Sequence, residues 1–97
     1  MSKFELSGKA KNDLIKIAKY TQLTWGTKQR NDYLKLIDNT FNQLADEPML
    51  GVNCDYIREG YRKQPQGSHV IYYKEHKKNQ VLIVRILHKS MDVNRGL

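Results

Sequence analysis

Three arginines lie where the sequence pattern predicts extended backbone, and a charge within a strand needs an explanation. Arg58 and Arg62 are four residues apart in a segment that we interpret as a strand, so both side chains should point to the same face. Arg85 follows the apolar run 81–84, which suits a strand buried on both faces. An unpaired buried charge would be very costly there. Arg85 is therefore predicted to pair with Glu59 or with an acid on a helix, or to belong to a face that binds an anion or a partner.

Histidines and tyrosines accompany the arginines in the second half of the chain. A metal-free ribonuclease needs a general base, a general acid and cationic groups beside the scissile phosphate. The groups that would have to converge for this chemistry are Lys63, His69, Arg85 and His88. Tyrosines interleaved with basic residues also favour a surface that stacks single-stranded nucleic acid or buries a protein partner. These tyrosines are Tyr56, Tyr61, Tyr72 and Tyr73.

No residue pattern predicts a metal ion or an organic cofactor. The three histidines are not at metal-ligand spacing, and no carboxylate accompanies them at such spacing. The single cysteine, Cys54, excludes an internal disulfide and a thiolate zinc cluster, and we interpret it as a bystander. The sequence also lacks a glycine-rich phosphate loop and a nucleophile elbow. We therefore expect neither a metal site nor a cofactor.

The charge is distributed unevenly along the 97 residues, which we expect to form a single domain, 1–97. Lysine and arginine number 17 against 10 aspartate and glutamate. Residues 1–55 carry eight basic and seven acidic side chains, whereas residues 56–97 carry nine and three, for net charges of +1 and +6. This polarity favours an acidic partner, either nucleic acid or an acidic protein segment, over a merely solubilising surface.

The composition predicts a globular protein away from membranes. Hydrophobic residues make up 39% of the chain and charged residues 28%, which excludes wholesale disorder. No segment approaches the ~20 apolar residues of a membrane helix, and the N-terminus lacks the apolar core of a signal peptide. We therefore expect a cytoplasmic location.

The apolar period changes from helical to strand-like near Pro48, and this change orders the predicted elements. A short strand at 3–7 precedes a helix that Ser7 can cap, whose apolar face runs from Ala10 to Trp25. Gly26 ends that helix, and Thr27 can cap the second one, which Pro48 stops. After a loop at 47–55, three more strands are predicted, at 56–63, 69–75 and 81–88, with turns at 65–67 and 77–79.

Strands that follow one another through short turns form an antiparallel meander, and a helical hairpin with one apolar face should cover one side of it. We expect the first strand to join the same sheet. The sequence therefore predicts an α+β fold in the order β-α-α-β-β-β, with the helical hairpin packed on a mainly antiparallel sheet.

Motifs spaced along nearly the whole chain match a known pattern. Trp25-Gly26 followed by Tyr33-Leu34 looks like its helical hairpin. The most specific motifs are Ile57-Arg58-Glu59-Gly60-Tyr61-Arg62, Gly67-Ser68-His69-Val70-Ile71-Tyr72-Tyr73, and Val84-Arg85-Ile86-Leu87-His88 with Met91-Asp92. With these motifs the chain resembles the ParE toxins of the RelE/ParE superfamily, from bacterial type II toxin–antitoxin pairs.

The resemblance implies the same β-α-α-β-β-β fold and two protein partners. One is a ParD-like antitoxin, whose acidic C-terminal segment would wrap the basic toxin. The other is DNA gyrase, which the toxin would poison by stabilising a state with cleaved DNA. The resemblance thus implies an inhibitor rather than an enzyme, and no sequence-specific binding of nucleic acid by the toxin alone.

Two alternatives stay open beside this interpretation. The RelE branch of the superfamily cleaves messenger RNA in the ribosome with Lys, Arg and a terminal Tyr or His. No tyrosine follows Tyr73 here, which disfavours this ribonuclease alternative. The other alternative is a plain nucleic-acid-binding module, which the basic second half would permit.

The resemblance also suggests which residues bind the target or the antitoxin. The candidates are Arg58, Arg62, His69, Tyr72, Arg85, His88, Lys89, Met91 and Asp92. Two of them have structural alternatives, since Tyr72 could be core and Arg85 could bridge to Asp92 or Glu59. The tail from Lys89 onward is a candidate for target contact. This tail departs from the usual family ending, with Ser90 where an arginine is common and Gly96 where a histidine is common.

Overall fold

The computed structural model describes residues 4–78, 80–91 and 97. Along the chain the elements are β1 (Phe4–Leu6), α1 (Gly8–Trp25), α2 (Thr27–Asp46), β2 (Val52–Asn53), β3 (Tyr61–Gln66), β4 (His69–Glu75) and β5 (Val81–His88). The strands form one sheet in the order β1-β5-β4-β3-β2, in which β1 is parallel to β5 and the other neighbours are antiparallel. The structure thereby confirms the predicted α+β fold, with a helical hairpin on a mainly antiparallel sheet.

The segment before β3 differs from the sequence expectation. The strand predicted at 56–63 begins only at Tyr61, because the carboxylate of Asp55 accepts a hydrogen bond from the Gly60 amide (2.8 Å) and closes a turn. Arg58 lies in this turn, so the prediction that it shares a strand face with Arg62 is wrong. The predicted loop 47–55 contains the short β2, which pairs with β3.

Two smaller expectations about chain reversals were also wrong. Pro65 and Gln66, expected in a turn, belong to β3, and the reversal occurs just after them, where Gly67 has φ of 58°. Thr27 does not cap α2, since Gly26 is the N-cap residue and no side chain makes a capping hydrogen bond. Gly26 has φ of 96°, a conformation that glycine adopts readily, and it alone separates the two helices.

The hairpin packs on one face of the sheet, where the main core lies. The helices contribute Ala10, Ile17, Ile37, Phe41 and Leu44, and the sheet contributes Ile71, Tyr73, Val81, Ile83 and Ile86. Val81 and Ile83 point to this face and are fully buried, whereas Leu82 and Val84 in the same strand are only partly buried. The expectation that the run 81–84 is buried on both faces was therefore only half right. A smaller cluster formed by Cys54, Tyr72 and Leu87 lies on the opposite face.

Beyond the end of β1, the start of helix α1 is hydrogen-bonded to β5. The Ser7 amide donates to the carbonyl of Ile83 (3.0 Å), and its hydroxyl donates to the carbonyl of Val84 (2.7 Å) while accepting from the Ala10 amide (2.9 Å). The predicted cap at Ser7 is thus confirmed, and the same side chain also joins the helix to the sheet. One turn further on, the carboxylate of Asp13 accepts from the backbone amide of Ile86 (2.9 Å).

Arg85 completes this junction and shows how β5 accommodates a charge. The register between β4 and β5 shifts between Tyr72, which faces Arg85, and Tyr73, which faces Ile83, so that Val84 is the extra residue of a β-bulge. The guanidinium of Arg85 donates to both oxygens of Asp13, at 2.8 and 3.0 Å. The structure confirms the predicted ion pair with an acid on a helix. Its acid is Asp13 on α1 and not Glu59.

A second buried anchor holds the segment between α2 and β2. The hydroxyl of Tyr73, a fully buried residue, donates to the carbonyl of Pro48 (2.7 Å) and accepts from the Gly51 amide (2.8 Å). A Cβ atom at Gly51 would lie 2.5 Å from this hydroxyl, so only glycine allows the approach. Arg62 adds a hydrogen bond from Nη1 to the carbonyl of Gly51 (2.8 Å).

Asp13→Ala should destabilise the protein strongly. The substitution leaves the largely buried Arg85 guanidinium without this carboxylate and the Ile86 amide without its acceptor, and breaking a buried ion pair typically costs about 3–5 kcal/mol. Urea denaturation followed by circular dichroism measures the free energy of unfolding. Asp32→Ala, which removes an exposed pair with Lys28 on α2, is the matched control and should change this free energy far less. Equal, small losses in both variants would contradict the structural role of Asp13.

Candidate functional site

A cleft of about 530 Å³ opens between the helical hairpin and the ends of β4 and β5. It contains four of the predicted site residues, namely His69, Arg85, His88 and Met91. The rest of the lining comes from both helices and the two strand ends: Asp13, Lys16, Ile17, Tyr20, Thr21, Trp25, Gln29, Tyr33, Ser68, Ile86 and Leu87. Clefts of this size and largely apolar character are the usual places for a ligand or a partner side chain.

His69 and His88 face each other across the antiparallel pair β4–β5. They are opposite in the strand register, and their rings meet edge to face with centroids 5.5 Å apart. The amide of Ser90 donates to Nδ1 of His88 (3.1 Å), and an amide can only donate. In neutral His88 the proton is therefore on Nε2.

Tyr33 of α2 holds His69 in place. Its hydroxyl lies 2.7 Å from Nδ1 of His69 and 2.9 Å from the carbonyl of Gln66, and it accepts from the Ser68 amide at 3.2 Å. The same ring contacts Gly67, where a Cβ atom would approach it to 2.7 Å. The β3–β4 turn is therefore fixed against α2, and the imidazole of His69 is oriented by it.

Burial in the cleft disfavours the protonated form of His69. Burial is the main cause that lowers the pKa of His69, and the neighbouring imidazole of His88 lowers it further. The pKa of Arg85 is raised, chiefly by its hydrogen bond to Asp13, so the guanidinium stays charged. The cleft thus combines the Arg85–Asp13 ion pair with an imidazole at His69 whose pKa is lowered.

Exposed apolar side chains form the outer wall of the cleft. Tyr20 and Trp25 on α1 are 66% and 70% exposed, and Met91 after β5 is 52% exposed. The helical spacing predicts that Trp25 faces the core, which is wrong, since Trp25 is the last residue of α1 and its side chain is exposed. Sequence reasoning did not select Tyr20 or Trp25 as site residues. The signal that could have found them is the placement of two large aromatics in the last turns of a helix, where little remains to bury them.

The remaining candidate residues lie outside this cleft. Arg62 binds the carbonyl of Gly51, and Arg58 donates from Nη2 to the carbonyl of Leu97 (3.2 Å). Tyr72 is buried on the opposite face of the sheet, in the small cluster with Cys54. Lys89 is exposed in the turn after β5. Asp92 lies outside the described residues.

The groups considered for ribonuclease chemistry do not converge. His69, Arg85 and His88 line the cleft, but Lys63 lies on the other face of the sheet, where its ammonium group is 3.0 Å from the hydroxyl of Tyr56. Among residues 4–78, 80–91 and 97, no three His, Cys, Asp or Glu side chains are placed to share a metal ion. Neither described helix is long and apolar enough to cross a membrane.

His69 should titrate below the ordinary histidine range in the folded protein. Its unfolded-state pKa of about 6.5 is higher, so between the two values the unfolded state binds more protons, and the free energy of unfolding should rise with pH across that window. Heteronuclear NMR of the imidazole resonances measures the pKa. His88→Gln should raise the His69 pKa by removing the neighbouring imidazole that lowers it, whereas His76→Gln, in the distant β4–β5 turn, is the control. A His69 pKa at or above 6.5 would contradict this account.

Comparison with known proteins agrees with the fold and the motifs. The family described as "ParE toxin of type II toxin-antitoxin system, parDE" matches residues 4–93. The chain is 38% identical over 96 residues to Toxin ParE1 of Mycobacterium tuberculosis, covering 99% of this chain and 98% of that protein. It is 36% identical over 97 residues to Toxin ParE1 of Caulobacter vibrioides, covering 100% and 99%.

A solved structure shares the fold. It is described as "Chromosomal ParDE TA system from P. aeruginosa", and the superposition gives a TM-score of 0.76 at 17% identity, covering 91% of this chain and 96% of the other. At that identity the likeness bears on the fold alone, but the full-length relatives and the family match bear on the sequence as well. The chain therefore belongs to the ParE toxins of type II toxin–antitoxin systems.

Proposed function

We propose that this toxin acts by binding DNA gyrase and stabilising the state in which DNA is cleaved, and that a ParD-like antitoxin with an acidic C-terminal segment neutralises it. The observation that carries the proposal is its similarity to ParE toxins over essentially its whole length. The structural neighbour belongs to a ParDE system, which supports an antitoxin as a partner. Gyrase acts on DNA inside the cell, so this function requires a cytoplasmic toxin.

The geometry favours inhibition by binding over catalysis. A ribonuclease would need its acid, base and cations on one side of the scissile phosphate, whereas here Lys63 is separated from His69 and His88 by the sheet. The cleft instead presents a wall of exposed apolar side chains beside an ion pair. Aromatic anchors of this kind are typical of protein interfaces.

The cleft and the C-terminal segment suit different partners. The apolar wall of Tyr20, Trp25 and Met91 with the nearby Lys16 complements a segment that carries apolar anchors and carboxylates, which describes the expected acidic end of an antitoxin. We assign the cleft to the antitoxin on this basis. Lys89 is exposed where β5 ends and does not line the cleft, and we assign it to gyrase.

Purified toxin should inhibit supercoiling by gyrase and cause cleaved DNA to accumulate, because a poison stabilises an intermediate instead of blocking DNA entry. The assay measures supercoiled, relaxed and linear plasmid with and without ATP, with protease treatment to release gyrase-bound ends. A translation assay that contains the same toxin concentration runs in parallel. Loss of translation with unaffected gyrase would move the protein to the ribonuclease branch, and no effect in either assay would refute gyrase as the target.

Trp25→Ala should weaken antitoxin binding by about 30-fold, equivalent to about 2 kcal/mol, as expected for an exposed aromatic anchor that becomes buried in an interface. Isothermal calorimetry with the candidate antitoxin, a small protein with an acidic C-terminus encoded beside the toxin, measures the dissociation constant. Leu23→Ala is the matched control, because Leu23 lies on the same helix, is 89% exposed and does not line the cleft. Equal effects of the two substitutions would place the antitoxin elsewhere on the surface.

A further inference from the structure

The face of the sheet away from the helices carries an alternating pattern of tyrosines and lysines. In the β3–β4 register Tyr61 pairs with Lys74 and Lys63 pairs with Tyr72. The two lysines are therefore diagonal neighbours, and so are the two tyrosines. Diagonal neighbours in an antiparallel pair are roughly 7–8 Å apart, within reach of long side chains. Two ammonium groups and two phenol rings thus occupy one small area of this face.

Each lysine of this area lies over a tyrosine ring. Nζ of Lys74 is 5.5 Å from the centroid of the Tyr61 ring. Nζ of Lys63 is 5.8 Å from the centroid of the Tyr56 ring and 3.0 Å from the Tyr56 hydroxyl. These distances are typical of cation–π pairs, in which the ring positions the cation without neutralising its charge.

The area is partly open to solvent, since Tyr56 is exposed while Tyr61, Lys63 and Lys74 are half-buried. Tyr56 is 74% exposed, whereas Tyr72 is buried beneath the area and supports it by packing with Cys54 and Leu87. Within the part of the chain that the structure describes, no carboxylate lies within ion-pair distance of Lys63 or Lys74.

Among the described residues, two acidic side chains lie in the turn 55–60 before β3, and the C-terminal residue Leu97 packs against the cluster of Cys54, Tyr72 and Leu87 on this face. The Asp55 carboxylate already accepts from the Gly60 amide and closes that turn. Glu59 is exposed in the same turn. The two ammonium groups are therefore available to an external anion.

We propose that this face, built from Tyr56, Tyr61, Lys63 and Lys74, binds single-stranded nucleic acid without sequence preference. The two ammonium groups would contact successive phosphates, and the exposed ring of Tyr56 would stack on a base, which combines the charge and the stacking that such binding uses. An acidic peptide would satisfy the lysines but would leave the rings without a planar partner. The face lies across the sheet from the cleft, and its binding of nucleic acid requires no gyrase, so the inference stands independently of the proposed target.

Fluorescence anisotropy of a labelled oligothymidine of about 12 nucleotides tests the proposal over about 50–200 mM salt. The intact toxin should bind, and Lys63→Ala/Lys74→Ala should lower the affinity at least about tenfold. In that variant, the slope of the logarithm of the binding constant against the logarithm of the salt concentration should become shallower by about 1.4. Each of the two lost phosphate contacts on a single strand accounts for ~0.7 of this change. Tyr56→Leu should lower the affinity about fivefold without changing the slope, since stacking releases no counterions.

The matched control is Lys28→Ala/Lys35→Ala, which removes the same charge from exposed positions on α2. It should bind within about twofold of the intact toxin, and thermal unfolding of every variant checks that the fold is retained. The proposal is overturned if both lysine pairs lower the affinity equally, which would indicate attraction by net charge alone. It is also overturned if polyglutamate of equal charge binds as tightly and Tyr56→Leu has no effect, because the face would then recognise acidic protein.

Discussion

The carboxylate of Asp13 is the contact on which the rest of the structure depends. It joins α1 to β5 at the point where β1 ends, and it accepts hydrogen bonds from both the Arg85 guanidinium and the Ile86 amide. Without it, the largely buried guanidinium of Arg85 would lose this carboxylate, and the buried amide of Ile86 would lose its acceptor. Both costs are large in a protein of 97 residues, whose total stability is expected to be on the order of 5–10 kcal/mol.

This junction also determines where the cleft and the opposite face of the sheet present their side chains. The bulge at Val84 shifts the alternation of β5, so that Ile83 before it and Ile86 after it both pack into the main core. As a result His88, two residues beyond Ile86, faces the cleft beside His69, and Arg85 reaches α1. A continuous register would have placed His88 on the opposite face, since a shift of one residue reverses every side chain.

The sheet separates two surfaces of different chemistry. On the helix side, the cleft combines an apolar wall, a fixed ion pair and an imidazole whose pKa is lowered by burial. On the other side, lysines and tyrosines alternate around Lys63 and Tyr56. The two histidines and Lys63 are thus kept on opposite sides of the sheet.

Helices, their caps and the two longest strands follow from local patterns in the amino-acid sequence. The helical period, the Ser7 cap and the glycine at position 26 gave the hairpin, and β-forming residues gave β4 and β5 with the boundaries that the structure has. A buried charge needs a partner, and the sequence offered an acid on a helix as one alternative for Arg85, which the ion pair with Asp13 bears out. The spaced motifs correctly indicated the ParE family.

Only the tertiary structure decided which of these residues meet. Asp13 and Arg85 are separated by 72 positions in the sequence, and no local pattern distinguishes Asp13 from other acids on the helices. The turn that keeps Arg58 out of β3 depends on the Asp55 carboxylate, and the exposure of Trp25 depends on how α1 packs in the folded protein. Lys63 and the histidines lie on opposite faces of the sheet because side chains alternate along each strand and a bulge shifts the alternation in β5. The bulge arises from contacts between strands, which a single sequence does not reveal.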